Sequence, residues 1–143
     1  MITRRQLLTQ GSAATVSLLG FPAIVRSQSP GKKINLAFIG PGGMGTNHVK
    51  TMCKRSDFIV SYVCDADSKR AEAAAKLIHE LTGQTPKVVT DMRRVFDDKT
   101  VQAVLMATPD HWHAPGAILA ANAGKHVYVE KPLTHTFEEA EIL

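Results

Sequence analysis

The chain has 143 residues, enough for one domain with a buried core, and its 44% apolar and 21% charged content excludes a disordered chain. The formal charge of +4 does not imply a nucleic-acid partner: three arginines (Arg4, Arg5 and Arg26) lie in an acid-free stretch of 30 residues, and the other 14 of the 17 Lys and Arg are balanced by 13 Asp and Glu. The two cysteines, Cys53 and Cys64, are too few for a disulfide framework and lack metal-type spacing, so small buried thiols and no metal are expected.

Residues 1–30 read as a leader. Thr3-Arg4-Arg5-Gln6-Leu7-Leu8 precedes a mildly apolar run over 11–25 that is rich in Gly, Ser and Ala. That run is too short and too weakly apolar for a stable membrane span, which needs about 20 strongly apolar residues. A basic start, a short apolar segment and a small-residue exit fit a removed signal, and the paired arginines resemble the twin-arginine class. Export to the periplasm is therefore expected, with cleavage between Ala23 and Ser29. A retained anchor or amphipathic extension is the alternative, and a leader that does not function would leave the protein cytoplasmic.

The body, 31–143, alternates strand-like and helix-like runs. Ile34 to Ile39 reads as a buried strand, followed by a helix opening near Met44 with Val49, Met52 and Cys53 on its inner face. Phe58 to Cys64 is a second strand. Ala71, Ala74, Ala75, Ile78 and Leu81 mark the inner stripe of a second helix, which Gly83 ends at a left-handed cap. A brief strand over 87–90 and a short helix over 92–96 follow. A fourth strand covers 103–107. Ala114, Ala117, Ile118 and Ala121 define the next helix, with Pro115 in its first turn and Gly124 past its end. His126 to Val129 is a fifth strand, and Thr136-Phe137-Glu138-Glu139 is a capping box that starts a last helix. The alternation predicts an α/β fold, a doubly wound parallel sheet of Rossmann-like type.

Gly40-Pro41-Gly42-Gly43-Met44-Gly45 is G-x-G-x-x-G, and its context gives the string weight. It follows a strand, precedes a helix, and has Asp65 twenty-five residues after Gly40 and twenty after Gly45, at the end of the next strand. Gly40 would permit the tight turn, Gly42 the approach of a diphosphate, and Gly45 close packing of helix on strand. The amides at Gly43 and Met44, at the helix start, would face the phosphates. Asp65 would accept hydrogen bonds from ribose hydroxyls and repel a 2′-phosphate, which favours NAD; Lys69 and Arg70 keep NADP as the alternative.

Two motifs follow the later strands: Thr108-Pro109-Asp110-His111-Trp112-His113, and Gly124-Lys125-His126-Val127 leading into Glu130-Lys131-Pro132. Together with the Gly-rich turn, they make residues 33–143 resemble the N-terminal domain of the Gfo/Idh/MocA oxidoreductases. That resemblance implies hydride transfer at a carbinol of a sugar, cyclitol or related polyol, with such a small molecule as substrate. It implies that Lys131 is catalytic, helping to move the hydroxyl proton, best with a pKa lowered by desolvation or nearby charge. It places Thr108 and Pro109 along the cofactor, His113 near the nicotinamide and substrate, Glu130 near the nicotinamide ribose, and Pro132 where it sets the backbone. Asp110 stands where many relatives have Asn.

Simpler readings stand beside these. Lys131 alone would be a solvated charge, His111 and His113 loop histidines, and Trp112 a packing or lid residue. His48, His79, His126 and His135 carry no signal. His111-x-His113 suggests a metal hydrolase, but further ligands are wanting. In the family a substrate domain follows and supplies a His and an Asp. The chain is thus expected to be a fragment of such an oxidoreductase; the alternative is an inactive stand-alone dinucleotide-binding module. A homo-oligomer is compatible with either.

Overall fold

The computed structural model of the chain describes residues 33–143. The leader expected over 1–30 lies outside the described residues. Five strands form one parallel sheet in the order β3-β2-β1-β4-β5. In chain order these are β1 (Ile34–Ile39), helix α1 (Gly43–Met52), β2 (Phe58–Cys64), α2 (Ser68–Thr82), β3 (Lys87–Val89) and α3 (Arg93–Asp97). Then come β4 (Ala103–Met106), a 3-10 turn (Asp110–Trp112), α4 (His113–Asn122), β5 (His126–Val129) and α5 (Phe137–Ile142). The chain leaves β1 toward β2 on one side and leaves β4 toward β5 on the other. The order therefore reverses between β1 and β4, which open α/β sheets use as their ligand crevice.

The sheet has a core on each face, and β1 supplies both. Ala37 and Ile39 point into one cluster, with Val95, Phe96, Met106 and Ala120. Leu36 and Phe38 point into the other, with Val49, Ala71, Ala74 and Ile78. This alternation is the period of two expected of a strand buried on both faces. Phe38, Ile78 and Met106 are each at most 1% exposed, and burying a side chain of that size contributes about 1.5–3 kcal/mol.

Helix boundaries follow local chemistry. Asp67 caps α2 by accepting the Lys69 N–H at 3.0 Å, and Gly83 closes it at φ +73°. Thr136 and Glu139 form the reciprocal capping box of α5.

Four expected core positions differ. Leu81, in the last turn of α2, is 50% exposed. Ala121 is exposed, and α4 buries Ala114, Gly116, Ala117 and Ala120 instead. Gly116 explains the rotation: a Cβ there would collide with the Met106 side chain, so its bare backbone sits against the sheet. Met52 and Cys53 are half-buried, leaving Val49 as the buried side chain of α1. Among the described residues no helix is long and apolar enough to cross a membrane.

Candidate dinucleotide site at the sheet switch point

The site begins where β1 ends. Gly40 takes φ +74°, and a Cβ on it would stand 2.8 Å from the Thr108 nitrogen and 2.9 Å from the Ala107 carbonyl carbon and oxygen. The turn and the end of β4 therefore meet backbone to backbone. Gly45 is buried, and a Cβ there would overlap the Gly40 carbonyl oxygen. Any side chain would push α1 off the strand end. Gly42 is the N-cap of α1 and offers no side-chain acceptor, and no acid lies in the first turn. The first amides of α1 are thus left for an external anion, and the helix dipole favours one.

A cleft of about 960 Å³ opens in front of this turn. Its lining includes Gly40, Gly42, Gly43, Asp65, Thr108 and Pro109. Six of the expected cofactor residues therefore share one cavity. Met44 is 54% exposed and outside the lining, and Gly45 serves packing.

At the end of β2, Asp65 Oδ1 accepts the Asp67 N–H at 2.9 Å, so one carboxylate oxygen orients the group and the other remains for a ligand. Arg70 also lines the cleft, paired with Asp67 at 3.6 Å and 3.7 Å from where a Gly42 Cβ would stand. In the cleft wall, burial first, then the negative charges of Asp65 and Asp91, push the Cys64 thiol up to about 12. It is a packing residue.

The Thr108 hydroxyl is buried and has no hydrogen-bond partner. A buried polar group left unpaired is costly, and native structures usually give it a partner. An orphaned hydroxyl beside glycines whose missing Cβ atoms leave room for a ligand fits a bound dinucleotide.

His113, Glu130 and Lys131 lie outside the cleft lining. His113, expected beside the nicotinamide, is 2% exposed and outside the lining. Its Nδ1 lies 2.5 Å from the Pro132 carbonyl and its Nε2 2.8 Å from the Thr108 carbonyl, so it bridges the two motif loops. Lys131 sits on the turn after β5, its peptide to Pro132 is cis, and it is exposed rather than desolvated.

Glu130 is half-buried at the end of β5. The hydrogen bond from His48, then the backbone N–H of Lys131, hold its carboxyl below the usual range. Asp110 accepts the His111 N–H at 2.8 Å and faces His135 Nδ1 at 3.2 Å, which ties the loop after β4 to the segment after Pro132. His111 and Trp112 line the cleft.

Two residues escaped the sequence reading. His48 follows Gly45 by three positions, which puts it next to the helix face that touches the sheet; that spacing was its only signal. Lys125, 7% exposed, donates from Nζ to the carbonyls of Asp98 (2.7 Å) and Val101 (3.0 Å), and a lysine in a turn gives no hint of this.

The profile of the family described as "Oxidoreductase family, NAD-binding Rossmann fold" matches residues 34–143. The chain belongs to the Gfo/Idh/MocA oxidoreductase family. What the structure describes is this family's NAD-binding Rossmann domain. The chain resembles myo-inositol dehydrogenase from Lactobacillus casei, solved with NAD(H) and myo-inositol, at TM-score 0.71 and 28% identity over 77% of this chain and 32% of that one. It also resembles levoglucosan dehydrogenase in complex with NADH, at TM-score 0.66 and 32% identity over 77% and 30%. A Shewanella oneidensis protein named alpha-N-acetylgalactosaminidase is 32% identical over 110 residues, 74% of this chain and 24% of that protein. The chain thus spans about a quarter of the length of the curated relatives it matches.

Proposed function

We propose that this chain binds NAD as the coenzyme half of an oxidoreductase that moves a hydride at a carbinol carbon of a sugar or cyclitol. The observation that carries the proposal is the Gly40–Gly42 turn, its bare backbone set at the switch point and facing Asp65 across one cleft. The first amides of α1 would hold the diphosphate, Asp65 would take the adenosine ribose hydroxyls, and the Thr108 hydroxyl would gain a partner from the coenzyme. Bound there, nicotinamide supplies the hydride acceptor or donor. Lys131, on the turn after β5 at the same end of the sheet, exchanges the hydroxyl proton, and Glu130 and His113 keep its turn in place. Asp65 also sets the preference for NAD over NADP, while Arg70, already paired with Asp67, leaves NADP as the weaker ligand.

Myo-inositol and levoglucosan in the names of the structural neighbours support a polyhydroxylated ring as substrate. The relatives named as glycosidases favour a second outcome on the same domain. Oxidising a ring carbinol to a ketone makes the adjoining C–H acidic, so a reversible hydride transfer can serve cleavage of a glycoside as well as net oxidation. We also propose that Arg4-Arg5 and the run after it direct twin-arginine export; periplasmic delivery of a folded reporter by residues 1–30, lost on Arg4→Lys/Arg5→Lys, tests this.

The test of coenzyme binding is a titration of the isotopically labelled chain with NAD, followed by backbone amide signals. Shifts at Gly40, Gly42, Gly43 and Asp65 are expected. Shifts confined to another region of a folded sample, or none, would overturn the proposal.

A further inference from the structure

Helix α1 is hydrogen-bonded to the lysine-bearing turn through His48. His48 Nε2 lies 2.5 Å from Glu130 Oε1, and the two side chains are 22% and 16% exposed. The Tyr128 hydroxyl donates to the same oxygen at 3.3 Å, and the Tyr128 ring meets the His48 ring edge-on at 5.5 Å between centroids. The other oxygen, Oε2, accepts the backbone N–H of Lys131 at 3.2 Å. A carboxylate only accepts, so Nε2 of His48 carries the hydrogen in this contact. Both oxygens of Glu130 are then engaged: one holds α1, the other holds Lys131.

This arrangement bears on function because of where α1 points. Its first turn presents the amides of the phosphate site, and His48 stands on its second turn. A shift of α1 on anion binding at its N-terminus would be passed to Glu130 through the histidine and to the Lys131 backbone through the carboxylate. No other hydrogen bond joins α1 to this turn among the described residues.

We propose that His48 is a positioning residue for Lys131, acting through Glu130, so that the phosphate-binding helix and the strand-end lysine move as one unit. The consequence for proton transfer rests on the reading of Lys131 given above; the positioning itself does not.

The experiment compares the labelled chain with its His48→Leu and His48→Gln variants, first without ligand and then with NAD. Without ligand, His48→Leu should speed hydrogen exchange at the Lys131 amide roughly tenfold, the scale of a lost hydrogen bond to a charged group. It should also move that amide's signal, while the amides of β1 and β4 keep their positions. Glutamine places an N–H near the same oxygen, so His48→Gln should restore both readings, which a loss of bulk alone would not. With NAD, the Gly42 and Gly43 amides should respond in all three proteins, and the Lys131 amide only in the parent and the glutamine variant.

An unchanged Lys131 amide in folded His48→Leu would overturn the inference. Should the leucine variant fail to fold, Glu130→Gln, which keeps shape and removes charge, reads the same contact, and an unaltered exchange rate there overturns it equally. If NAD leaves Gly42 and Gly43 unmoved in the parent, the coenzyme reading falls, while the ligand-free comparison still decides the role of His48.

Discussion

Gly40→Ala tests the joint on which the cleft is built. The substitution forces an L-residue to φ +74°, at about 1–2 kcal/mol. It also drives a methyl to 2.8–2.9 Å from three backbone atoms of Ala107 and Thr108. Those are backbone atoms directly after β4 and cannot rotate away, so overpacking adds about 1–3 kcal/mol. Reduced freedom of the unfolded chain offsets about 0.4–1 kcal/mol. The net loss is about 1–5 kcal/mol, a large share of the roughly 5–15 kcal/mol that holds a domain folded.

The control is Gly43→Ala, where a Cβ meets nothing within 4 Å and the residue opens a helix. Helix propensity makes that change neutral or stabilising by up to about 1 kcal/mol. Urea unfolding by circular dichroism measures both. A Gly40→Ala variant within about 0.5 kcal/mol of the parent, or a Gly43→Ala loss as large as that of Gly40→Ala, would refute the packing argument.

Asp65→Ala should weaken NAD binding by about 10- to 100-fold, the worth of hydrogen bonds to a charged acceptor, and NADP binding by less; equal losses by calorimetry count against the ribose contact. Lys125→Met keeps the stem but strips the Val101 carbonyl of its donor and leaves the Asp98 carbonyl with the Val101 N–H alone, costing about 1–3 kcal/mol in thermal unfolding, and a neutral result would show that water replaces the ammonium. Asp98 is held down to about 2 by the Thr100 hydroxyl and amide and then by the Tyr62 hydroxyl. Its folded value lies below an unfolded value of about 3.9, so its contribution is complete above pH 4 and disappears as pH falls toward 2. Asp98→Asn should flatten that part of the stability–pH curve; a slope equal to the parent's would contradict the assignment.

Much of this fold can be read in one dimension because its signals are local. β1 and β2 are apolar runs bounded by turn residues, and Gly83 and Thr136 end or begin helices through bonds to neighbours a few positions away. The Gly-rich turn and Asp65 are legible for the same reason: their spacing is the geometry. What escaped was tertiary. The inner face of α4 is set by the fit of Gly116 to Met106 across the sheet, which periodicity reads as Ala121. His48 gains a role only from a glutamate 82 positions away, and Lys125 from carbonyls on the preceding connection. His113 was legible as a motif residue, but its ring is taken up by two carbonyls, a fact held in no local pattern.

The turn after β1 presents peptide groups and almost no side chains, since Gly40, Gly42 and Gly43 have none to present. Recognition by such a surface freezes few rotamers in the protein, each of which would otherwise cost about 0.5–1.5 kcal/mol. Such a pocket is preorganised, so the entropic burden of association would fall on the guest rather than on the protein.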